Sequence, residues 1–228
     1  MSVTAPLSWR SAAVGLAVRE GEHGPCADAA AHYLAADLTM AVAVVHATGT
    51  RPEAARLAPL LAESAVRAAA QRGALAGVLH AALAVSDPGP EGDGPDATIA
   101  LAVRRADGHT TTAWAGECRV WSWDGTALTL HSTGHDHSGV RPGGTPAAEH
   151  GVTLAQATPA LVGQAVIPAG RTLVLATPGL HRQLAADTRA RLTAAHVSTP
   201  QRLADALSQA ATATPGTARA DAAVLVLS

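Results

Sequence analysis

The chain contains no phenylalanine and a single tyrosine, and aromatic residues make up only 2% of its 228 positions. Its core must therefore rest on Ala, Val and Leu, since apolar residues still reach 48%. Such small side chains favour close packing, as when helices lie tightly on a sheet. The only cysteines are Cys26 and Cys118, too few for a disulfide framework, and the cytoplasm is the expected compartment. Basic residues are scarce as well: 16 Lys and Arg stand against 18 Asp and Glu, a net charge of −2, with no basic run. That balance argues against a surface that tracks a phosphate backbone, and so against nucleic acid as a partner. No apolar stretch is long enough to span a bilayer, and the first residues lack the order of basic, apolar and small residues that marks a signal peptide. The Ala, Arg, Gly and Pro bias resembles that of GC-rich coding and carries little functional information.

What is present reads as one domain over 1–228, with a flexible loop or flap at about 134–170, where Gly and Pro are frequent and periodicity is poor. Residues 11–18 and 41–47 are short apolar, Val-containing runs expected to be buried strands. Thr50-Arg51-Pro52-Glu53 is a helix start, and the Ala/Leu/Arg pattern after it predicts a helix to about Arg72, bent at Pro59, and a second from Leu75 to Val85. Strands are expected at 97–104, 110–115, 118–123 and 126–131, with Asp107-Gly108 and Asp124-Gly125 as hairpin turns. A strand at 172–177, helical patterns around 180–196 and 200–211, and a closing strand in "ADAAVLVLS" follow. Helices grouped beside antiparallel strands make this an α+β chain.

Six short motifs then fall into order. They are "CADA" at 26–29, "VAVVHATG" at 42–49, "AGECRVWSWDG" at 115–125, "HDHS" at 135–138, "LVLATPGLHRQL" at 173–184 and "RADAAVLVLS" at 219–228. Together they resemble the type 2C (PPM) metal-dependent serine/threonine protein phosphatases. In that family the corresponding motifs are Asn-x-Asp-Ala, an apolar strand ending in Asp-Gly-x-Gly, Gly-Asp-Ser-Arg, Asp-His-Ser, an apolar strand into Asp-Gly-Leu, and a closing Asp-Asn strand. The resemblance runs from about His23 to the last residue. It implies a four-layer α-β-β-α sandwich of two antiparallel sheets flanked by helices. It also implies a pair of Mg²⁺ or Mn²⁺ ions between the sheets, held by carboxylates, with a bridging water that attacks phosphate.

Residue by residue, the family's chemistry is mostly missing. Its Asp-Gly aspartate corresponds to His46, its Asp-Gly-Leu aspartate to Pro178, its phosphate-binding Arg to His23 and its Asn to Cys26. Asp28, Asp221 and, in place of the Gly-Asp-Ser aspartate, Glu117 remain, with Arg119 beside it. Proline offers no side-chain ligand, and hard divalent ions need oxygen donors, so no Mg²⁺/Mn²⁺ pair is expected. The expected protein is a degenerate, pseudophosphatase-like member that binds a protein or phosphoprotein partner, such as a kinase, a phosphoprotein or an active phosphatase. Asp28, His46, Glu117, Asp221 and Arg119 are the candidate binding residues.

Two other readings stay open. Cys26 and Asp28, two apart on one strand, would face the same side, and the resemblance implies that His46 ends the neighbouring strand. The chain would then be an enzyme with a rebuilt site: an atypical metal-dependent phosphatase or hydrolase holding a single Zn²⁺ or Mn²⁺ ion, with Asp28, His46 and Asp221 as candidate ligands, or one with a Cys26 nucleophile and a His46 base. A scaffold without a pocket is the third reading. His135 and His137 are taken as a turn element rather than ligands. Trp114, Trp121 and Trp123 are expected to pack, the last two on one face of a hairpin and Trp114 on the adjacent strand.

Overall fold

The computed structural model describes residues 12–85, 94–132, 152–212 and 218–228. Strands β1 (Val14–Arg19), β2 (Asp28–Leu34) and β3 (Met40–Thr48) lead into helices α1 (Arg51–Arg72) and α2 (Ala74–Ala82). Strands β4 (Asp96–Arg104), β5 (Thr110–Ala115), β6 (Arg119–Trp123) and β7 (Leu128–Leu130) follow. A 3-10 turn at Leu154–Gln156 precedes β8 (Gly163–Ile167) and β9 (Thr172–Ala176). Then come α3 (Pro178–Gln183), α4 (Ala186–His196), α5 (Pro200–Ala210) and β10 (Ala222–Leu227).

The strands form two five-stranded sheets, one in the order β1-β10-β9-β6-β7 (sheet A) and one in the order β2-β3-β4-β5-β8 (sheet B). Every pairing is antiparallel. The central strands read as continuous apolar runs because both of their faces are covered. In β3, Ala41, Ala43, Val45 and Ala47 pack on α1 and α2, while Met40, Val42 and Val44 point into the layer between the sheets. In β10, Ala222, Val224 and Val226 meet α3 and α5, and Leu225 and Leu227 point inward. Two helices, two sheets and three further helices thus form four layers, with a separate apolar cluster at each of the three junctions.

The absence of Phe sets the spacing of those layers. The buried stripe of α1 is Ala54, Ala58, Leu61, Ala62, Ala65, Val66 and Ala69, spaced three and four apart to put one face on the sheet. The helix runs through Pro59 without interruption. On the other side α5 lies so close to β1 that a Cβ on Gly15 would come within 2.1 Å of the Pro200 carbonyl. Only glycine allows that approach.

Three expectations need correction. Trp114 is not on a strand adjacent to that of Trp121 and Trp123: β5 belongs to sheet B and β6 to sheet A, so the chain crosses between sheets there. Trp114 therefore packs between the sheets, whereas Trp121 packs against the helices outside sheet A. Of the stretch read as a loop, 134–151 lies outside the described residues, as do His135 and His137. The remainder holds a strand, β8, which pairs with β5 through Thr112↔Ala165. Its five residues were too short and too close to Gly and Pro to give a periodic signal. Lastly, Cys26 precedes β2 rather than lying on it.

Candidate functional site

Antiparallel register brings Asp28, the first residue of β2, opposite His46 near the end of β3, and His46 opposite Thr98 on β4. The Asp28 carboxylate is wholly buried and His46 is 31% exposed, with Nδ1 of the ring 2.6 Å from Asp28 Oδ1. A carboxylate only accepts, so Nδ1–H is the donor. The second oxygen is met from the other sheet. Thr177 follows β9, and its hydroxyl lies 2.5 Å from Asp28 Oδ2. Thr177 Oγ1 in turn accepts from the Ala223 N–H at 2.8 Å. A buried charge needs partners on both oxygens, and here one imidazole and one hydroxyl provide them.

Thr177 stands at the N-terminus of α3, yet its side chain makes no capping bond there, which frees the hydroxyl for Asp28. Pro178 takes the first helical position, where its missing N–H costs nothing and its fixed φ starts the turn. Gly179 is pressed onto β10: a Cβ there would sit 1.7 Å from the Asp221 carbonyl oxygen.

Asp221 is buried beside this cluster, but its two oxygens serve the backbone. Oδ1 accepts from the Gly21 N–H at 2.7 Å and Oδ2 from the Ala27 N–H at 3.0 Å. It ties the loop between β1 and β2 to the start of β10. Glu117 accepts from Arg182 Nη2 at 2.5 Å, and its carbonyl accepts from His181 Nε2 at 3.0 Å. Arg119 donates to the Ser132 carbonyl at 2.9 Å. His23 is exposed on the loop before Cys26.

The cysteines are held protonated. Burial pushes the Cys26 thiol up to about 11, with the nearby Asp221, Asp28 and Glu20 carboxylates adding to it. Its Sγ points at the Asp28 and Arg19 carbonyls, at 3.4 and 3.7 Å. Cys118 is fully buried, raised to about 12 mainly by desolvation, and lies 3.4 Å from Thr98 Oγ1. Neither thiol meets an imidazole base in these contacts, and His46 Nδ1 is committed to Asp28. His181 is driven down to about 4, first by burial and then by Arg119, Arg182 and Arg189, against the opposing hydrogen bond to Glu117. It is neutral near pH 7.

A binuclear Mg²⁺ or Mn²⁺ centre does not fit these donors. Both Asp28 oxygens are engaged by His46 and Thr177, both Asp221 oxygens by backbone N–H groups, and Glu117 by Arg182. Pro178 contributes no donor at all. Among the described residues no group of three or more His, Cys, Asp or Glu side chains is placed to hold a metal ion. Thr177, His181 and Arg182 escaped the sequence reading. The one available signal was their position within and after "ATPGL", directly beside Pro178.

No protein-family model and no curated protein matches the chain. Solved structures do. A protein of the bacterial stressosome, described as a modular system adapted to control secondary messenger signalling, superposes with a TM-score of 0.69 at 19% identity, over 96% of this chain and 100% of that one. The serine/threonine phosphatase of S. agalactiae gives 0.72 at 14% identity, over 95% and 98%. That of Mycobacterium tuberculosis gives 0.66 at 15% identity, over 95% and 97%. The fold, two antiparallel sheets flanked by helices, is that of type 2C phosphatases. Among the described residues no helix is long and apolar enough to cross a membrane.

Proposed function

We propose that the chain is a non-hydrolysing type 2C-like module that regulates by binding a protein or phosphoprotein partner. The observation that carries this is the closed Asp28–His46–Thr177 cluster. An imidazole and a hydroxyl occupy both oxygens of the carboxylate that a phosphatase of this fold would offer to metal. Pro178 removes a second ligand, and Arg182 neutralises Glu117, the residue at the position of a third. Two-metal hydrolysis depends on ions that clamp both the attacking and the leaving oxygen, so losing the ligands removes the reaction rather than slowing it. The stressosome neighbour, a member of a signalling system on the same fold, supports a regulatory use of the scaffold.

The purified chain assayed with Mn²⁺ on p-nitrophenyl phosphate and on phosphoserine peptides is expected to show no turnover. The double substitution His46→Asp with Pro178→Asp restores two oxygen donors and is expected to raise Mn²⁺ binding, read by electron paramagnetic resonance of the free ion. Mn²⁺-dependent turnover by the wild type that disappears in Asp28→Ala would refute the proposal.

A further inference from the structure

Outside sheet A, cationic side chains gather around one aromatic pair. The Trp121 ring on β6 meets His181 edge-on, with centroids 6.3 Å apart, and carries the Arg189 guanidinium 4.3 Å from its own centroid. Arg119 lies two residues before Trp121 and shares its face of the strand. Arg182, next to His181, has an exposed side chain, of which the structure commits one nitrogen to Glu117. Arg182 forms its ion pair with Glu117.

Arg189 is the informative member. It is half-buried, its Nε has no hydrogen-bond partner, and no carboxylate of the described residues pairs with it. Guanidinium groups withdrawn from water are ordinarily paired, because the lost hydration must be replaced. The Trp121 face offsets part of that loss and fixes the orientation; Nε is sealed from solvent, and no hydrogen bond within the described residues engages the outer Nη groups. His181, neutral as it donates to the Glu117 carbonyl, adds no competing charge. The place therefore offers two guanidiniums, only one of them paired with a carboxylate among the described residues.

We propose that Arg182 and Arg189, arranged about the His181–Trp121 pair, bind the phosphate monoester dianion of a phosphorylated side chain. This rests on the reading of the chain as a module for a phosphoprotein partner, and it gives that partner a docking point. A dianion suits two forked donors better than a single carboxylate does, since each guanidinium can supply two parallel hydrogen bonds. No bond is made or broken in this docking.

The test is calorimetric titration of the full chain at low salt with inorganic phosphate and with the peptide Gly-Ala-phosphoSer-Ala-Gly, its Ser and Glu counterparts serving as controls. Arg182→Ala and Arg189→Met are each expected to weaken both phosphate probes by about tenfold or more. Arg202→Ala, on the exposed side of α5, is expected to change nothing. Arg189→Lys retains a charge over Trp121 but loses the fork; it is expected to bind more weakly than wild type and serves if the methionine variant does not fold. Equal affinity in wild type and both Arg182 and Arg189 variants overturns the site, and a Glu peptide that binds as tightly as the phosphopeptide overturns the ligand class. Hydrolysis of p-nitrophenyl phosphate by the wild type would remove the non-hydrolysing reading, yet this site stands if the arginine variants still lose phosphate affinity. Absent hydrolysis with unchanged affinity in the variants removes this site alone.

Discussion

Replacing His46 with alanine isolates the Asp28 carboxylate, and the cost can be worked from the contacts. Removing a hydrogen-bond donor from a buried carboxylate costs about 1.5–3 kcal/mol, because the desolvation of the acceptor is left uncompensated. Two features keep the cost below the top of that range here. The Thr177 hydroxyl stays on Asp28 Oδ2, and the 31% exposure of His46 means that water enters the vacated space. About 2 kcal/mol of destabilisation is expected, a fall in Tm of about 4–8 °C for a chain of this size. Adding Asp28→Asn removes the charge while preserving shape, so the double variant is expected to recover about 1 kcal/mol or more relative to additivity. Urea unfolding followed by circular dichroism at pH 7 reads this as a shift in midpoint at constant slope. A His46→Ala variant within about 0.5 kcal/mol of wild type, or strictly additive variants, would show that the pair does not hold the site together.

His181 predicts an acid dependence of stability. Its folded pKa, about 4, lies below the ordinary 6.5, so the unfolded chain binds more protons between those values and stability falls as pH drops from 6.5 towards 4. The shift corresponds to at most about 3 kcal/mol, and His181→Gln is expected to flatten that part of the profile of urea midpoint against pH. Gly179→Ala is expected to destabilise by more than about 3 kcal/mol, or to prevent folding, since the new Cβ would collide with the rigid backbone at Asp221; a thermal melt near that of wild type would refute the contact. Iodoacetamide at pH 8 is expected to label Cys26 about a hundredfold more slowly than free cysteine, and Cys118 only on unfolding. Fast labelling of either thiol in the native chain would contradict its placement.

The sandwich was readable because its central strands carry near-continuous apolar runs and its turns carry Asp-Gly, signals that depend on neighbours in sequence. The runs around Val42–Val45 and Val224–Leu227 could hardly be anything but strands buried on both faces. What local patterns do not encode is which sheet a strand joins. The step from Ala115 to Arg119 resembles a tight connection within one sheet, but it carries the chain across the interior. The site divides in the same way. Asp28 and His46 were recognisable through their motifs, and their meeting follows from an antiparallel register two strands wide. Thr177 reaches Asp28 across 149 positions of sequence, and Arg182 reaches Glu117 across 65, so neither contact leaves a periodic trace. Asp221 belonged to a visible motif, yet its carboxylate accepts from two backbone N–H groups, which any residue type but proline could have supplied.

The placement of β10 between β1 and β9 has a consequence for synthesis on the ribosome. Strand β1 has no partner in sheet A until residues 222–227 arrive, and β9, which can pair with β6 as soon as it is made, keeps its other edge open until then. While the chain emerges, Leu16, Leu173 and Leu175 face a gap where Leu225 and Leu227 will sit, and unpaired strand edges remain open beside them. Sheet B is different: β2, β3, β4 and β5 are consecutive and can close with α1 and α2 as soon as they are made. The nascent protein should therefore mature in two steps, an early half whose outer face is sheltered by its own helices and a late half that waits, sticky and dependent on chaperones, for its keystone strand.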